Sequence, residues 1–561
     1  MSKINIFALG GLGENGKNMY IVEVDSKIFI LDAGMKYPDI DMYGVDGVIP
    51  NIDYLIEHKN NIEGIFVSHG HEDHIGATTY LLKKLSTRVY GTHFTISIIE
   101  SMLIENKMNV SDYKLYRINA NKVLTFGNVS VSFFNTTHSI PESIGICIST
   151  HDGNIVYSTD FNFGASANGT YQTTFDKITD LGKSKVLALL TESINAGAIG
   201  RITNDSVLEY NYNGILNQDY KRIIVGAFST DLIRIQKIID LSVAASRKIG
   251  IISSNNELII DVAIKSNYLR IPPACYIDYQ KIANSPNGKE EIAKMENVVL
   301  IVTGYRNEPY NALVHMAIGE DTSIKLNPFD KVILMCPPVP GTERTTTEAI
   351  NTLCKYDADL TIFDKGVLRS AHASPEDLKM MYAMVKPEYI IPIKGEYRHM
   401  YEQSLVAKEA GFDQNHIILK DNGEVISFVN GKLVENETKI KTGDIFIDGS
   451  SVGVVDKTVI EERTTLAEEG VIFIYGTVDL RSRKLVGKIS LSTRGLSYSF
   501  SEEELTASLG GLMERIINNA LVKKSWFLDS VTNLLAGELQ KYVVRYLHHR
   551  PIIVPVILEI K

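Results

Sequence analysis

The sequence predicts an α/β fold, and three observations carry that prediction. Short β-like runs crowd the first 200 residues, helical stretches fall between them, and from about 205 to 365 buried-looking strands alternate with helices. The early runs are "INIFAL", "MYIVEV", "IFILDAG", "GIFVSHG", "VSVSFFNTT" and "NIVYSTD", several ending in a polar residue and a turn. Helices are expected over Asn51–His58 and Ala77–Leu85. Next come "KRIIVGAFST", the helical "LIRIQKIIDLSVAASRK" and "IGIISS", followed by "NVVLIVTG" and "KVILMCPP", the pattern of a separate parallel sheet. Residues from about 366 to 440 read as short strands with one helix. "IKTGDIFIDGSSVG" reads as a hinge into a last domain ordered strand, strand, helix, helix, strand, which ends in "IIVPVILEI". The apolar stripes of its helices "LGGLMERIINNAL" and "LLAGELQKYVVRYL" are ordinary core signals, and no internal repeat is evident.

The composition excludes several classes. The chain has 561 residues, room for three domains, and is 44% hydrophobic and 22% charged, as soluble globular proteins are. No apolar run approaches the length of a membrane span. The opening "MSKINIFALGG" does not read as a signal peptide. Cys147, Cys275, Cys336 and Cys354 form no CxxC pair, which argues for thiols in a reducing cytoplasm and against a cysteine zinc site. A net charge of −10 gives no general attraction to nucleic acid, so phosphates would need a local basic groove or a metal.

Gly11, Gly13 and Gly16 in "GLGENG" match the dinucleotide-binding fingerprint, with Asp32 near the place of its ribose carboxylate. That fingerprint needs a helix directly after the glycines. Here "KNMYIVEVDSKIFILDAG" alternates like a hairpin, so the glycines are assigned to tight turns.

The densest chemistry is "SHGHEDHIG" at 68–76. His69 and His71 on an extended or looped backbone can aim both imidazoles at one ion, and Asp73 and His74 sit one turn on, at a helix start, within reach of a second. Imidazole and carboxylate without thiolate suit Zn²⁺ or Mn²⁺. His138 after "VSVSFF" and Asp160 after "NIVYS" stand at the ends of β-runs, where open sheets place their chemistry. A single histidine of this kind reads as a solvated loop residue; the ordered set does not.

"HGHEDH", "HSIPES" and "STDF" resemble the metallo-β-lactamase fold. "ALGGLGENGKNMYIVE", "VIPNIDYLIEHK", "IPIKGEYRHM", "STRGLSYSF" and "RPIIVPVILEI" resemble the ribonuclease J family of β-CASP nucleases, across essentially the whole chain. The resemblance implies a metallo-β-lactamase αββα sandwich, an inserted β-CASP α/β domain and a small α+β C-terminal domain used in dimerisation. The expected division is 1–205 and 366–440 for the split metallo-β-lactamase domain, 206–365 for the β-CASP domain, 441–455 for a linker and 456–561 for the C-terminal domain.

By the same resemblance, His69, His71 and His138 would hold one metal, Asp73 and His74 a second, with Asp160 bridging. The cofactor is then Zn²⁺ at two family positions, with Mn²⁺ or Mg²⁺ as alternatives. Asp73 resembles the general base, and Asp32 the fold's buried structural aspartate, holding a loop or a histidine. Glu192 in "TESINA" matches the acidic β-CASP motif, and His372 in "LRSAHASPED" the histidine of the phosphate-gripping loop. Asp73, His372 and Glu192 are the catalytic set so implied. Leu368, Arg369, Ser370, Ala371 and His372, with Thr230 and Asp231 of "FSTDLIR", are the implied substrate contacts.

This chain departs from the family at several of these positions. Ala371 replaces the loop glycine and Leu368 a preceding histidine. Thr230 and Asp231 stand where serine and asparagine hold a terminal phosphate, and Asp231 is a poor neighbour for a dianion. Arg306 in "TGYRNEP" adds a charge that either contacts RNA or is simply a surface arginine. Most consequentially, Lys394 stands where the family has a second-metal histidine. A lysine ligates only as the neutral amine, and as an ammonium it repels a cation or takes its place. His399 is the one nearby substitute, at a spacing that does not favour it.

Three functions follow. The first is a metal-dependent ribonuclease, a 5′-to-3′ exonuclease with accompanying endonuclease activity, in RNA maturation and decay. The second is a weakly active or inactive paralogue that binds RNA as the partner subunit of an active one, in a homodimer, a heterodimer or an RNA degradation complex. The third, a hydrolase of small thioesters or lactams, is opposed by the inserted domain and by Glu192 and His372.

Overall fold

The structure is a computed structural model that describes residues 2–39, 42–164, 169–200, 206–253, 258–321, 324–339, 342–364, 366–449, 451–452, 455–496, 501–522 and 527–560. Residues 497–500 of "STRGLSYSF", and 450 and 453–454 of the expected linker, lie outside the described residues. The chain forms two compact units, 1–37 with 47–444, and 38–46 with 445–561.

Two sheets packed face to face organise the first unit. One has eight strands in the order Lys432–Val434, Ile426–Val429, Lys3–Gly10, Met19–Val24, Lys27–Leu31, Ile62–Phe66, Arg88–Gly91, Lys114–Arg117. The other has six, in the order Pro387–Ile393, Val186–Glu192, Gly153–Tyr157, Ile144–Thr150, Val129–Asn135, Val123–Phe126. Alternation along these strands sends one set of side chains inward, so Val22, Phe29 and Phe66 meet Ile146, Ile155 and Leu190 in one core. The outer face of the six-stranded sheet packs Val156, Leu189 and Ile390 against Met381, Val385 and Val406 of the helices Pro375–Val385 and Tyr397–Glu409. On the eight-stranded sheet the helix His93–Glu105 lies against Arg88–Gly91 and Lys114–Arg117. The result is an αββα sandwich.

Both sheets are completed late in the chain. Ile426–Val429 pairs antiparallel with Lys3–Gly10, and Pro387–Ile393 pairs parallel with Val186–Glu192. Between those segments lies an all-parallel sheet in the order Tyr276–Ile277, Lys248–Ile252, Val298–Gly304, Arg222–Phe228, Asp330–Leu334, Asp359–Ile362. Its central strands are buried on both faces, as the unbroken runs "RIIVGAF" and "VVLIVTG" require.

In the second unit the strands Lys484–Arg494, Val471–Asp479 and Ile552–Ile560 form a sheet covered on one face by the helices Glu502–Val522 and Leu528–Leu547. This is the expected order of strands and helices. A helix at Lys457–Glu468 precedes it, started by Asp456, whose carboxylate accepts from the Val459 amide. Its weak apolar periodicity hid it in the sequence.

The segment 366–440 also differs from expectation, with two helices where one was read. Ser374 and Asp377 form a reciprocal capping box with Pro375 in the first turn, which starts the helix Pro375–Val385.

Candidate metal centre

The centre sits where strands of both sheets end. Ile62–Phe66 leads into His69–His74, Val129–Asn135 into His138 and Gly153–Tyr157 into Asp160. The strands Gly153–Tyr157, Val186–Glu192 and Pro387–Ile393 are parallel neighbours, so their carboxyl ends bring Asp160, Glu192 and Lys394 together. The 72–74 backbone is clamped from one side: Met35 N donates to Glu72 O, Asn18 N to Asp73 O and Ala33 N to His74 O. This approach needs Gly34, because a Cβ there would lie 1.7 Å from the Asp73 carbonyl oxygen.

Three imidazoles converge. His69 Nε2 and His138 Nε2 each lie 3.1 Å from His71 Nδ1. Their far nitrogens are engaged elsewhere: His71 Nε2 donates to the Thr230 carbonyl at 3.0 Å, His138 Nδ1 to the Ala371 carbonyl at 2.9 Å, and His69 Nδ1 lies 3.0 Å from Ser68 Oγ. These contacts fix tautomers that leave three bare nitrogens facing one point. Burial pushes the His71 imidazolium down to about 4, and burial with the neighbouring imidazoles holds His69 and His138 well below the usual histidine range. Bare acceptors this close repel one another unless a cation lies between them. Asp160 Oδ2 is 3.8 Å from His69 Nε2 and 3.5 Å from His138 Nε2, and its buried Oδ1 has no hydrogen-bond partner among the described residues. His69, His71, His138 and Asp160 therefore fit a divalent ion as a three-imidazole, one-carboxylate donor set.

Asp73, His74 and Asp160 form a second group of potential ligands. Here Lys394 intervenes. Its Nζ lies 2.9 Å from Asp73 Oδ2 and 2.9 Å from His74 Nε2, and is in contact with Asp160 Oδ2. Burial alone would lower the lysine pKa, but Asp160, Asp73 and Glu192 outweigh it and raise it above the usual lysine value. Burial likewise opposes the charges of Asp73 and Asp160, yet the Lys394 ammonium holds both carboxyls well below the usual range. His74 Nδ1 donates to Asp32 Oδ2 at 2.6 Å, and Nε2 faces two donors, Lys394 Nζ and Asn18 Nδ2, toward which the neutral ring presents its lone pair. The second group does not fit a metal while Lys394 is in place. His399 does not reach it: its Nδ1 accepts from the Glu396 amide and caps its own helix.

Glu192 and His372 form a third element. Glu192 Oε1 accepts from the amides of Phe161 and Ala373, and Oε2 from His372 Nδ1 at 2.7 Å. Burial acts against the His372 proton, but Glu192 and Asp160 outweigh it and raise its pKa above the ordinary histidine value. The other residues of the loop serve in different ways. Leu368 is buried, the Arg369 carbonyl accepts from Arg234, Ser370 Oγ accepts from the His372 amide, and the Ala371 carbonyl orients His138. Thr230 orients His71 through its carbonyl, and Asp231 caps a helix while pairing with Arg234 at 2.9 Å. That pairing offsets the charge expected to repel a phosphate. Asp231, Arg234, Lys237, Arg369 and Ser370 share one cleft beside the centre.

Sequence reasoning missed Asn18, whose Nδ2 donates to Asp73 O and Oδ2, and Tyr157, whose hydroxyl donates to Asp32. Tyr157 offered a signal, a polar-tipped aromatic three residues before Asp160. Asn18, before the strand "MYIVEV", offered none.

Family models match along the chain: "Metallo-beta-lactamase superfamily" over residues 12–175, "Ribonuclease J, beta-CASP domain" over 220–353, "Zn-dependent metallo-hydrolase RNA specificity domain" over 367–418 and "Ribonuclease J C-terminal domain" over 458–560. Among curated proteins, "Ribonuclease J 2" of Staphylococcus saprophyticus is 34% identical over 557 residues, covering 99% of this chain and 98% of that protein. "Ribonuclease J 2" of Staphylococcus aureus is 33% identical with the same coverage. Among solved structures, a "Protein of Unknown Function from Enterococcus faecalis V583" superposes with a TM-score of 0.52 at 14% identity, over 76% of this chain and 100% of that one, a likeness of fold alone.

Proposed function

The chain belongs to the ribonuclease J family, and from that premise we propose that it is a metal-dependent ribonuclease that hydrolyses RNA phosphodiester bonds, working from the 5′ end with accompanying internal cuts. The observation that carries this is the convergence of His69 Nε2, His71 Nδ1 and His138 Nε2 beside Asp160. These residues would hold the ion, Zn²⁺ by donor type, with Mn²⁺ or Mg²⁺ as alternatives. A bound divalent ion supplies Lewis acidity toward the scissile phosphate and acidifies a water.

The chain's own groups take the remaining roles. His372, held by Glu192, whose carboxylate favours its protonated form, presents a proton from a partly exposed ring to a phosphate or leaving oxygen. Asp73 is the proton acceptor, and Lys394 and Asn18 keep it ionised and weakly basic. Arg369, Ser370 and Asp231 line the cleft in which the RNA backbone is met, with Thr230 next in the chain to Asp231, while Leu368 and Ala371 shape the loop. The domain division set out above, with residues 206–365 inserted as the RNA-gripping lobe, belongs to this reading, as does a cytoplasmic location, consistent with four free cysteines.

A 5′-monophosphorylated, end-labelled RNA tests the proposal. Mononucleotides are expected from the 5′ end, with cleavage abolished by a chelator and restored by Zn²⁺ or Mn²⁺. A second reading, a weakly active or inactive RNA-binding partner subunit, is favoured by one observation, Lys394 within the second ligand group. RNA binding without cleavage under any metal would select it.

The C-terminal unit supports a dimer, with itself or with a paralogue inside an RNA degradation complex. Tyr475, Val486, Leu558 and Ile560 share the sheet face opposite the helices, and each is more than a third exposed. Leu558→Lys is expected to shift the sedimentation coefficient of the purified protein, alone or with its paralogue, from dimer toward monomer. An unchanged coefficient removes this face as the interface.

A further inference from the structure

The second ligand group has an occupant whose chemistry matches it donor for donor. An ammonium has three N–H bonds and no lone pair. Lys394 Nζ meets three acceptors, Asp73 Oδ2, His74 Nε2 and Asp160 Oδ2, which are the three groups that would otherwise bind an ion. Two donors, Lys394 Nζ and Asn18 Nδ2, face His74 Nε2, and with Nδ1 donating to Asp32 the neutral ring turns its lone pair toward them. Asn18 Nδ2 also donates to Asp73 Oδ2, at 3.0 Å, so that oxygen already receives two protein donors.

The backbone holds the lysine there. Lys394 follows directly on the strand Pro387–Ile393, in the left-handed region at φ 57°, with its amide donating to the Gly11 carbonyl at 3.0 Å. The next amide, of Gly395, donates to the Glu14 carbonyl. The "GLGENG" turn thus anchors residue 394 through its carbonyls. The side chain is 7% exposed, so it has no solvated alternative position at hand.

We propose that Lys394 is a built-in cation: the centre takes one divalent ion, at His69, His71, His138 and Asp160, and the Lys394 ammonium permanently holds the second position. Lys394 is a positioning residue. It neutralises and orients Asp73 and Asp160 and touches no substrate. The inference deepens the ribonuclease reading, but its test does not depend on RNA cleavage.

The test is metal content. The protein is stripped with chelator, reloaded with excess Zn²⁺ or Mn²⁺, desalted and analysed by mass spectrometry. The wild type is expected to retain about one ion per chain, and Lys394→His about two, since imidazole restores a neutral ligand. Circular dichroism and thermal melting establish that the variant is folded. If it is not, Lys394→Gln carries the same test, because the neutral amide removes the repulsion and should admit a second ion. Two tightly held ions in the wild type overturn the proposal, as does a folded Lys394→His or Lys394→Gln protein that still holds only one. A wild type with one ion and no ribonuclease activity would sustain it while defeating the function proposed above.

Discussion

Replacing His71 by alanine is expected to remove both the metal and the nuclease activity. His71 Nδ1 is the central point of the triad, 3.1 Å from the facing nitrogens of His69 and His138. Its loss leaves two imidazoles and Asp160, which lowers affinity for the ion and opens the cluster to water. Changes to residues that merely orient a ligand already cost ~10–100-fold in metal affinity or activity, so loss of the ligand itself should exceed ~100-fold. The effect reaches beyond the metal, because His71 Nε2 also donates to Thr230 O, the backbone of the loop that leads into the inserted domain's helix at Leu232. Ser139→Ala is the contrast. Ser139 Oγ is 3.4 Å from His71 Nε2 and donates to the same carbonyl, so its removal should cost far less. Metal content and RNA cleavage measured on both variants decide it. Cleavage by His71→Ala at the wild-type rate would mean that the activity arises elsewhere.

The parts of this centre legible in the sequence were those set by the local chain. "HGHEDH" is short enough for its spacing to fix its geometry, and His138 and Asp160 each follow an apolar run that could only be a strand. The sandwich and its inserted parallel sheet were legible for the same reason, since uninterrupted and alternating apolar runs distinguish strands buried on two faces from those buried on one. What the sequence could not show was how distant segments answer one another. Lys394 was visible as a departure, but only the parallel pairing of Pro387–Ile393 with Val186–Glu192, and the Gly11 carbonyl beneath it, place its ammonium on Asp73, His74 and Asp160. Thr230 and Ala371 stand in loops that the family resemblance implies as substrate contacts, and their carbonyls also reach back to orient His71 and His138. Backbone carbonyls carry no residue identity, so no motif reports them. The charge of Asp231, a poor neighbour for a phosphate by itself, is paired with Arg234 one helical turn on, a partner that no local motif reports.

Asp32→Ala is expected to cost more stability than any other single change around the centre. The Asp32 carboxylate is fully buried and accepts from four donors: Ser68 N at 2.7 Å, Ser68 Oγ at 2.8 Å, His74 Nδ1 at 2.6 Å and the Tyr157 hydroxyl. Alanine leaves these donors facing an apolar methyl. Each buried donor left without a partner costs ~1–3 kcal/mol. Partial rearrangement keeps the sum below four times that, so a net loss of ~3–5 kcal/mol is expected, a large share of the ~5–15 kcal/mol that holds a domain folded. Backbone conformation adds to it, because residue 32 lies at φ 63°, where aspartate is tolerated better than alanine. Asp32→Asn should be milder in stability but not in the metal centre. Its carbonyl oxygen can still serve the Ser68 amide, while its NH₂ group opposes His74 Nδ1–H and drives that ring to the other tautomer. His74 would then turn an N–H toward Lys394 Nζ, donor against donor, and the ammonium would lose one of its three acceptors. Urea unfolding curves for the two variants separate these effects: a midpoint for Asp32→Ala close to that of the wild type would show that the four donors find other partners. Residue 32 thus reaches Lys394 through a single imidazole, and the tautomer of His74 follows from the charge on Asp32.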